Sequence, residues 1–180
     1  WTGVNQLLVY RNNLKSGWYD VNPNTPEYTI GSDFQWGTIQ PEGYEPVTTY
    51  TQSAKTYNDY PMVITDGPYA VFCEYGGPLA KTTMGIKFRS TFPVPLTNFV
   101  QSNPLFYGCF SEILPNLTPI QCAFACARDV ACRSVYISQP GGECVRMMYA
   151  DSLLPASQTG GKTRWARFAK TYTPTPGTNP

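Results

Sequence analysis

The chain contains no histidine. That removes the side chain most used as a general base and as a metal ligand, and with it the Ser–His and Cys–His pairs of nucleophilic catalysis. Charge is also scarce. Lys, Arg, Asp and Glu make up 14% of 180 residues, and the net charge is +1, whereas about a quarter of an average chain is charged. A near-neutral chain lacks the basic excess of a general nucleic-acid binder. No apolar run approaches the ~20 residues that a membrane-crossing helix needs, so no span is expected. No charged-then-apolar leader opens the sequence, and a start at Trp1 reads as a mature chain or a piece of a longer one. There is no phosphate-cradling loop either: Glu74-Tyr75-Gly76-Gly77-Pro78 has no Lys-Ser/Thr after its glycines and reads as a turn. Paired carboxylates remain as a catalytic device. Asp129, Glu143, Glu112 and Asp151 show no spacing that would set two of them across a cleft, and solvated surface groups are the simpler reading. The expectation is therefore no enzyme and no cofactor.

What is present points elsewhere. Aromatic residues make up 14%, including 13 Tyr, beside 17 Pro and 15 Gly. Such a chain favours short strands and turns, and its tyrosines offer contact surface with a polar tip. Six cysteines suit an oxidising, extracellular compartment, where small folds are stapled by disulfides. The two halves differ in charge. Residues 1–100 hold 6 Lys/Arg and 8 Asp/Glu, while residues 101–180 hold 7 and 4. The second half is mildly basic, which permits weak attraction to anionic partners such as sulfated glycans.

The fold expected is mainly β with one helix. Residues 1–100 read as an irregular β-rich region. Strands are expected at Gln6–Tyr10, Trp18–Val21, Glu27–Ile30, Asp33–Ile39 and Tyr69–Tyr75. Thr83–Ser90 alternates, with Met84, Ile86 and Phe88 on one face. Thr91–Pro104 reads as a linker or meandering loop. In residues 101–171, Thr118-Pro119-Ile120-Gln121 is a helix start: Thr118 caps, Pro119 suits the first position and Gln121 completes a capping box. The helix should run to about Val130, with Ile120, Phe124 and Ala127 on one stripe and Cys122 and Cys126 stacked four apart. Strands follow at Arg133–Ser138, Cys144–Tyr149 and Thr163–Thr171, with a loop from Asp151 to Gly161. Residues 172–180 are Thr/Pro-rich and read as an extended tail or linker.

The most specific feature is Cys109-x12-Cys122-x3-Cys126-x5-Cys132-x11-Cys144. Two cysteines share a helix face, one opens the next strand, and one lies in the strand after it. By spacing alone all three pairings of the last four stay open. A zinc site is disfavoured, since structural sites use two close pairs. The stretch from Cys122-Ala-Phe-Ala-Cys126 through Cys132-Arg-Ser-Val-Tyr-Ile to Gly-Gly-Glu-Cys144-Val resembles the PAN/apple family over about residues 106–171. That resemblance implies a helix on a curved antiparallel sheet. It also implies the bonds Cys122–Cys144 and Cys126–Cys132, leaving Cys73–Cys109 as a clamp between the halves. The family's end-to-end bond cannot form, as no cysteine follows Cys144. Tyr107-Gly108-Cys109-Phe110 with Leu114-Pro115 and Thr118-Pro119 is more weakly similar to the start of a WSC domain, a carbohydrate-binding family whose later glycine–cysteine pattern is absent here.

PAN/apple modules contact proteins and carbohydrates, so the resemblance implies extracellular binding or adhesion with a protein or glycan partner. Candidate contacts are Arg133, Arg146, Arg164 and Arg167, with Tyr136 and Trp165 as stacking surfaces or, alternatively, as core. Asn116-Leu117-Thr118 is an N-glycosylation sequon, followed by Pro119. The alternative function is a structural subunit of an extracellular filament, coat or matrix that self-assembles through Tyr- and Pro-rich strands.

Overall fold

The computed structural model describes residues 2–8, 14–20, 34–62, 84–92 and 95–174. The strands expected at Glu27–Ile30 and Tyr69–Tyr75 lie outside them, as does Cys73. The described chain is mainly β, with one α-helix, and is built of two antiparallel sheets and a small parallel pair.

The first sheet contains β1 (Val4–Asn5), β2 (Tyr19–Asp20), β3 (Val47–Thr51) and β4 (Thr56–Tyr60), in the order β2-β1-β3-β4. Its longest element is the β3–β4 hairpin, which the sequence reading missed. Thr, Tyr and Val favour strands, but Asn58 and Asp59 interrupt any apolar alternation. The structure makes use of both polar residues. The buried Asp59 carboxylate accepts the Glu42 and Gly43 N–H groups at 3.0 Å each, so it fastens the 40–46 loop to the sheet. Asn58 donates to Thr51 Oγ1 at 3.0 Å. Trp18 is buried edge-on to Trp36, and Phe34 stacks on Tyr57 at 4.1 Å. Of the strand expected at Asp33–Ile39, the described residues 34–39 form one isolated bridge, Trp36 to Tyr57.

The second sheet contains β5 (Met84–Arg89), β7 (Cys109–Phe110), β8 (Cys132–Ser138), β9 (Cys144–Met148) and β11 (Trp165–Pro174), in the order β5-β11-β8-β9-β7. Because β5 comes from the first hundred residues, the expected division at residue 100 cuts across this sheet. The expected tail also starts too early, since β11 stays paired with β5 as far as Pro174 opposite Met84. The segment read as a linker, Thr91–Pro104, contains a strand: β6 (Val100–Gln101) runs parallel to β10 (Leu154–Pro155) and supports it.

The single helix, α1 (Pro119–Ala127), begins as its sequence dictates. Gln121 N–H donates to Thr118 Oγ1 at 3.3 Å, and Thr118 N–H donates to Gln121 Oε1 at 2.9 Å. It stops before Val130 for a covalent reason. Cys126 and Cys132 are bonded, with Cα atoms 5.3 Å apart, whereas six helical residues would separate them by ~9 Å along the axis. Asp129 N–H instead donates to Cys126 C=O, and Cys132 N–H to Asp129 C=O. The Lys170 ammonium caps this end, donating to Cys126 C=O at 3.3 Å and Asp129 C=O at 2.9 Å, a cation where the helix dipole favours one.

The second bond joins Cys122 to Cys144 on β9, with Cα atoms 5.8 Å apart. These are the two pairings that the family resemblance implied. A bulge in β8, at Arg133, shifts register between Cys132 and Ser134. Such an extra residue re-aims the chain, and here it puts Cys132 on the same sheet face as Val135 and Ile137. All four bonded cysteines, with Val135 and Ile137, make one buried cluster between helix and sheet, and Phe88, Leu114, Leu117 and Phe168 pack around it.

The loop-closure model assigns about 3 kcal/mol to the 22-residue separation and about 2 kcal/mol to the six-residue one. Replacing Cys122 and Cys144 together by Ser should therefore lower the urea unfolding free energy by about 3 kcal/mol. The Cys126→Ser/Cys132→Ser pair should cost less, and equilibrium denaturation of the three proteins checks both values.

Candidate interaction surface

The face of the second sheet opposite α1 carries Tyr136, Trp165 and Arg167, three of the residues expected to meet a ligand. Register explains why they gather: Arg167 lies directly opposite Tyr136, and Trp165 opposite Ser138. They cannot present themselves to a partner, however, because β6, β10 and their flanks cover this face. Tyr136 is fully buried, its ring 6.1 Å edge-on from Phe99, and its hydroxyl donates to Ser152 C=O at 2.9 Å. Trp165 is buried with Val145, Met147 and Leu154, and its indole N–H donates to Lys162 C=O. The Arg167 side chain has no exposure. It donates to Phe92 C=O at 2.7 Å and pairs with Asp151, whose other oxygen accepts Ser134 Oγ–H at 2.6 Å. Tyr136 and Trp165 thus take the core alternative, while Arg167 is corrected from a contact to an interior residue; the reason is the layer formed by β6, β10 and their flanks, expected as loop.

The other expected contacts are distributed. Arg146 pairs with Asp129 at 3.1 Å and is half-buried. Arg133, half-buried at the bulge, donates to Tyr149 C=O at 2.9 Å. Arg164 is exposed. The structure does not bring these three into one patch with the buried trio. Cys109 is exposed and carries no bond to another described cysteine; its expected partner Cys73 lies outside the described residues. A mostly apolar cleft of about 250 Å³ beside Cys109 separates the two sheets, with Leu7, Val47, Met62, Met148 and Tyr149 among its walls. Among the described residues no group of His, Cys, Asp and Glu could hold a metal ion, and no helix is long and apolar enough to cross a membrane.

The surface that stands out is the outer side of α1. At 3.6 residues per turn, Cys122 and Cys126 lie roughly opposite Ile120, Phe124 and Arg128. Bonding the cysteines inward therefore turns the expected apolar stripe outward. Ile120 is 81% exposed, Phe124 61% and Val130, just past the helix, 87%. The Arg128 guanidinium lies over the Phe124 ring, 5.8 Å from its centroid, so the column ends in a cation–π pair. A periodicity argument alone sends Ile120 and Phe124 inward. The cysteine pair on the same helix is the signal that reverses them.

Compared with protein-family models, curated proteins and solved structures, the chain matches none.

Burial of Tyr136 and the charge on Asp151 push the Tyr136 phenol above its ordinary value, and the nearby Arg167 opposes them only in part. The folded state thus holds this proton more tightly than the unfolded chain. Its contribution is complete below pH about 10 and lost as pH rises beyond it. Urea titrations should show wild type losing stability above pH about 10 more steeply than Tyr136→Phe. Asp151→Asn should cost about 3 kcal/mol at neutral pH, since it leaves the buried Arg167 charge without its partner; equal stability of this variant and wild type would contradict the ion pair's role.

Proposed function

We propose that this chain is an extracellular, non-enzymatic binding or adhesion protein that contacts a protein or carbohydrate through a PAN/apple-like module. The observation that carries this reading is the orientation of α1. Two disulfides hold it to the sheet by its cysteine face, and its aromatic and aliphatic side chains stand in solvent. A soluble fold gains nothing in stability from an exposed Ile–Phe column beside an exposed Val, and clustered exposed apolar side chains mark interaction sites. Aromatic and Arg side chains are also those that dominate binding energy at interfaces. The staple supports the role because a helix held rigidly before binding loses little freedom on binding. Disulfides fit secretion into an oxidising medium.

Assembly into an extracellular filament or coat is the second reading. The same outward column favours it, since a second copy could cover that column, and among the described residues β5 is the last strand of its sheet, with Ile86 exposed.

The test is binding of the purified, secreted protein to cultured cell surfaces, measured by flow cytometry after pretreatment with protease or with glycan-degrading enzymes. Phe124→Ser should weaken binding about tenfold or more, the loss expected of a central aromatic contact. Sensitivity to protease assigns a protein partner, and sensitivity to heparinase a glycan. Binding that is equal for wild type and Phe124→Ser would remove the helix face from the proposal. Sedimentation showing concentration-dependent oligomers that Phe124→Ser abolishes would favour the assembly reading instead.

A further inference from the structure

The outward column has a neighbour that bears on what covers it. The Asn116-Leu117-Thr118 sequon sits at the N-terminal end of the helix. Asn116 is exposed, holds a left-handed conformation at φ 58°, and its side-chain amide has no hydrogen-bond partner among the described residues. The turn that carries it is firmly held. Leu117 N–H donates to Gly142 C=O at 2.8 Å. A Cβ on Gly142, itself at φ 62°, would come within 2.6 Å of Leu117 C=O. Asn116 therefore projects from a fixed stem.

We infer that Asn116 carries an N-linked glycan whose first sugars lie over Ile120, at the N-terminal end of the α1 outer face, and leave Phe124, Arg128 and Val130 as the open contact surface. The inference rests on the extracellular placement proposed above. In the transfer, Asn116 Nδ2 bonds to C1 of the reducing-end N-acetylglucosamine of a lipid-pyrophosphate-linked oligosaccharide. The C1–oxygen bond to pyrophosphate breaks, the lipid pyrophosphate leaves, and the amide gives up one proton. The cell's transferase must read the Thr118 hydroxyl. In the folded chain that hydroxyl donates to Gln121 Oε1 at 3.0 Å and accepts from Gln121 N–H, so transfer precedes closure of the capping box.

Geometry directs the sugars along the helix. Ile120 is the second helical residue, and Phe124 follows one turn, or ~6 Å, further along the axis. Helical side chains lean toward the N-terminus, so Ile120 leans toward the end of the helix at which the sequon sits. The cysteine-bonded side of the helix is closed by the sheet, which leaves the apolar column as the nearest open surface. Attached sugar is bulky and solubilising, and its C–H faces suit an aliphatic side chain such as Ile120, which is otherwise 81% exposed. Phe124 is already partly covered by the Arg128 guanidinium.

The experiment uses the whole chain secreted from cultured eukaryotic cells. N-glycanase should produce one downward mobility shift, absent in Asn116→Gln and retained in Thr118→Ser, which keeps both the sequon and the cap. Hydroxyl-radical footprinting read by mass spectrometry should then show labelling of Ile120 rising severalfold on deglycosylation, with Val130 unchanged as the internal control. An unmodified Asn116 in the secreted protein overturns the inference, and so does a glycan whose removal leaves Ile120 labelling unchanged. Phe124-dependent cell binding that persists in either case would show that only the glycan inference has failed. Loss of that binding with the glycan in place would remove the proposed function and leave the shielding.

Discussion

Everything distinctive about this fold depends on two sulfur–sulfur bonds made from one face of one helix. α1 has nine residues, a length at which an isolated helix is marginal in water. Its capping box and the Lys170 ammonium satisfy its two ends, but neither sets which side faces the sheet. The bonds from Cys122 to Cys144 and from Cys126 to Cys132 do. They spend the buried face on sulfur and leave the larger apolar side chains outside. The β8 bulge belongs to the same constraint, because without the extra residue at Arg133 the pleat would turn Cys132 away from the helix.

A second layer follows on the far side of the sheet. There the interior is aromatic and ionic: Tyr136 and Trp165 meet Leu154 and Phe99, and the Arg167–Asp151 pair is locked by Ser134 and the Phe92 carbonyl. A buried ion pair is a poor source of net stability but a strict specifier of geometry when its lone pairs are used. Leu153 N–H donates to Leu7 C=O at 3.2 Å, so the covering layer also touches the turn that follows β1. With both faces of the sheet occupied, the surface left exposed among the described residues lies at edges, loops and the outer side of the helix.

The parts legible in the sequence were local ones. Thr118 and Gln121 announce the helix start, and the strands around Val135, Val145 and Phe168 follow from period-two patterning and β-branched content. Mainly-β character was readable from Tyr, Thr, Pro and Gly. The β3–β4 hairpin was not, because Asp59 anchors a loop and Asn58 bonds across the hairpin to Thr51, so neither joins a core alternation. For Tyr136 and Trp165 the sequence left contact and core readings side by side, and the burial of Arg167 was not legible. Their common face can be read from the strand pattern, but whether that face is open depends on two-residue strands at Val100–Gln101 and Leu154–Pro155, too short to carry a pattern. The outward column was visible as an apolar stripe and needed the cysteine geometry to be assigned its direction.

The central claim is that sulfur bonds made from a single helix face orient α1 and so create its exposed apolar column. The most direct measurement is a peptide map of the folded protein, alkylated and digested without reduction. The account predicts that the Cys122 peptide is recovered cross-linked to that of Cys144, and that Cys126 is recovered bonded to Cys132. Alkylated thiols at these four positions, or cross-links that pair them differently, would contradict it.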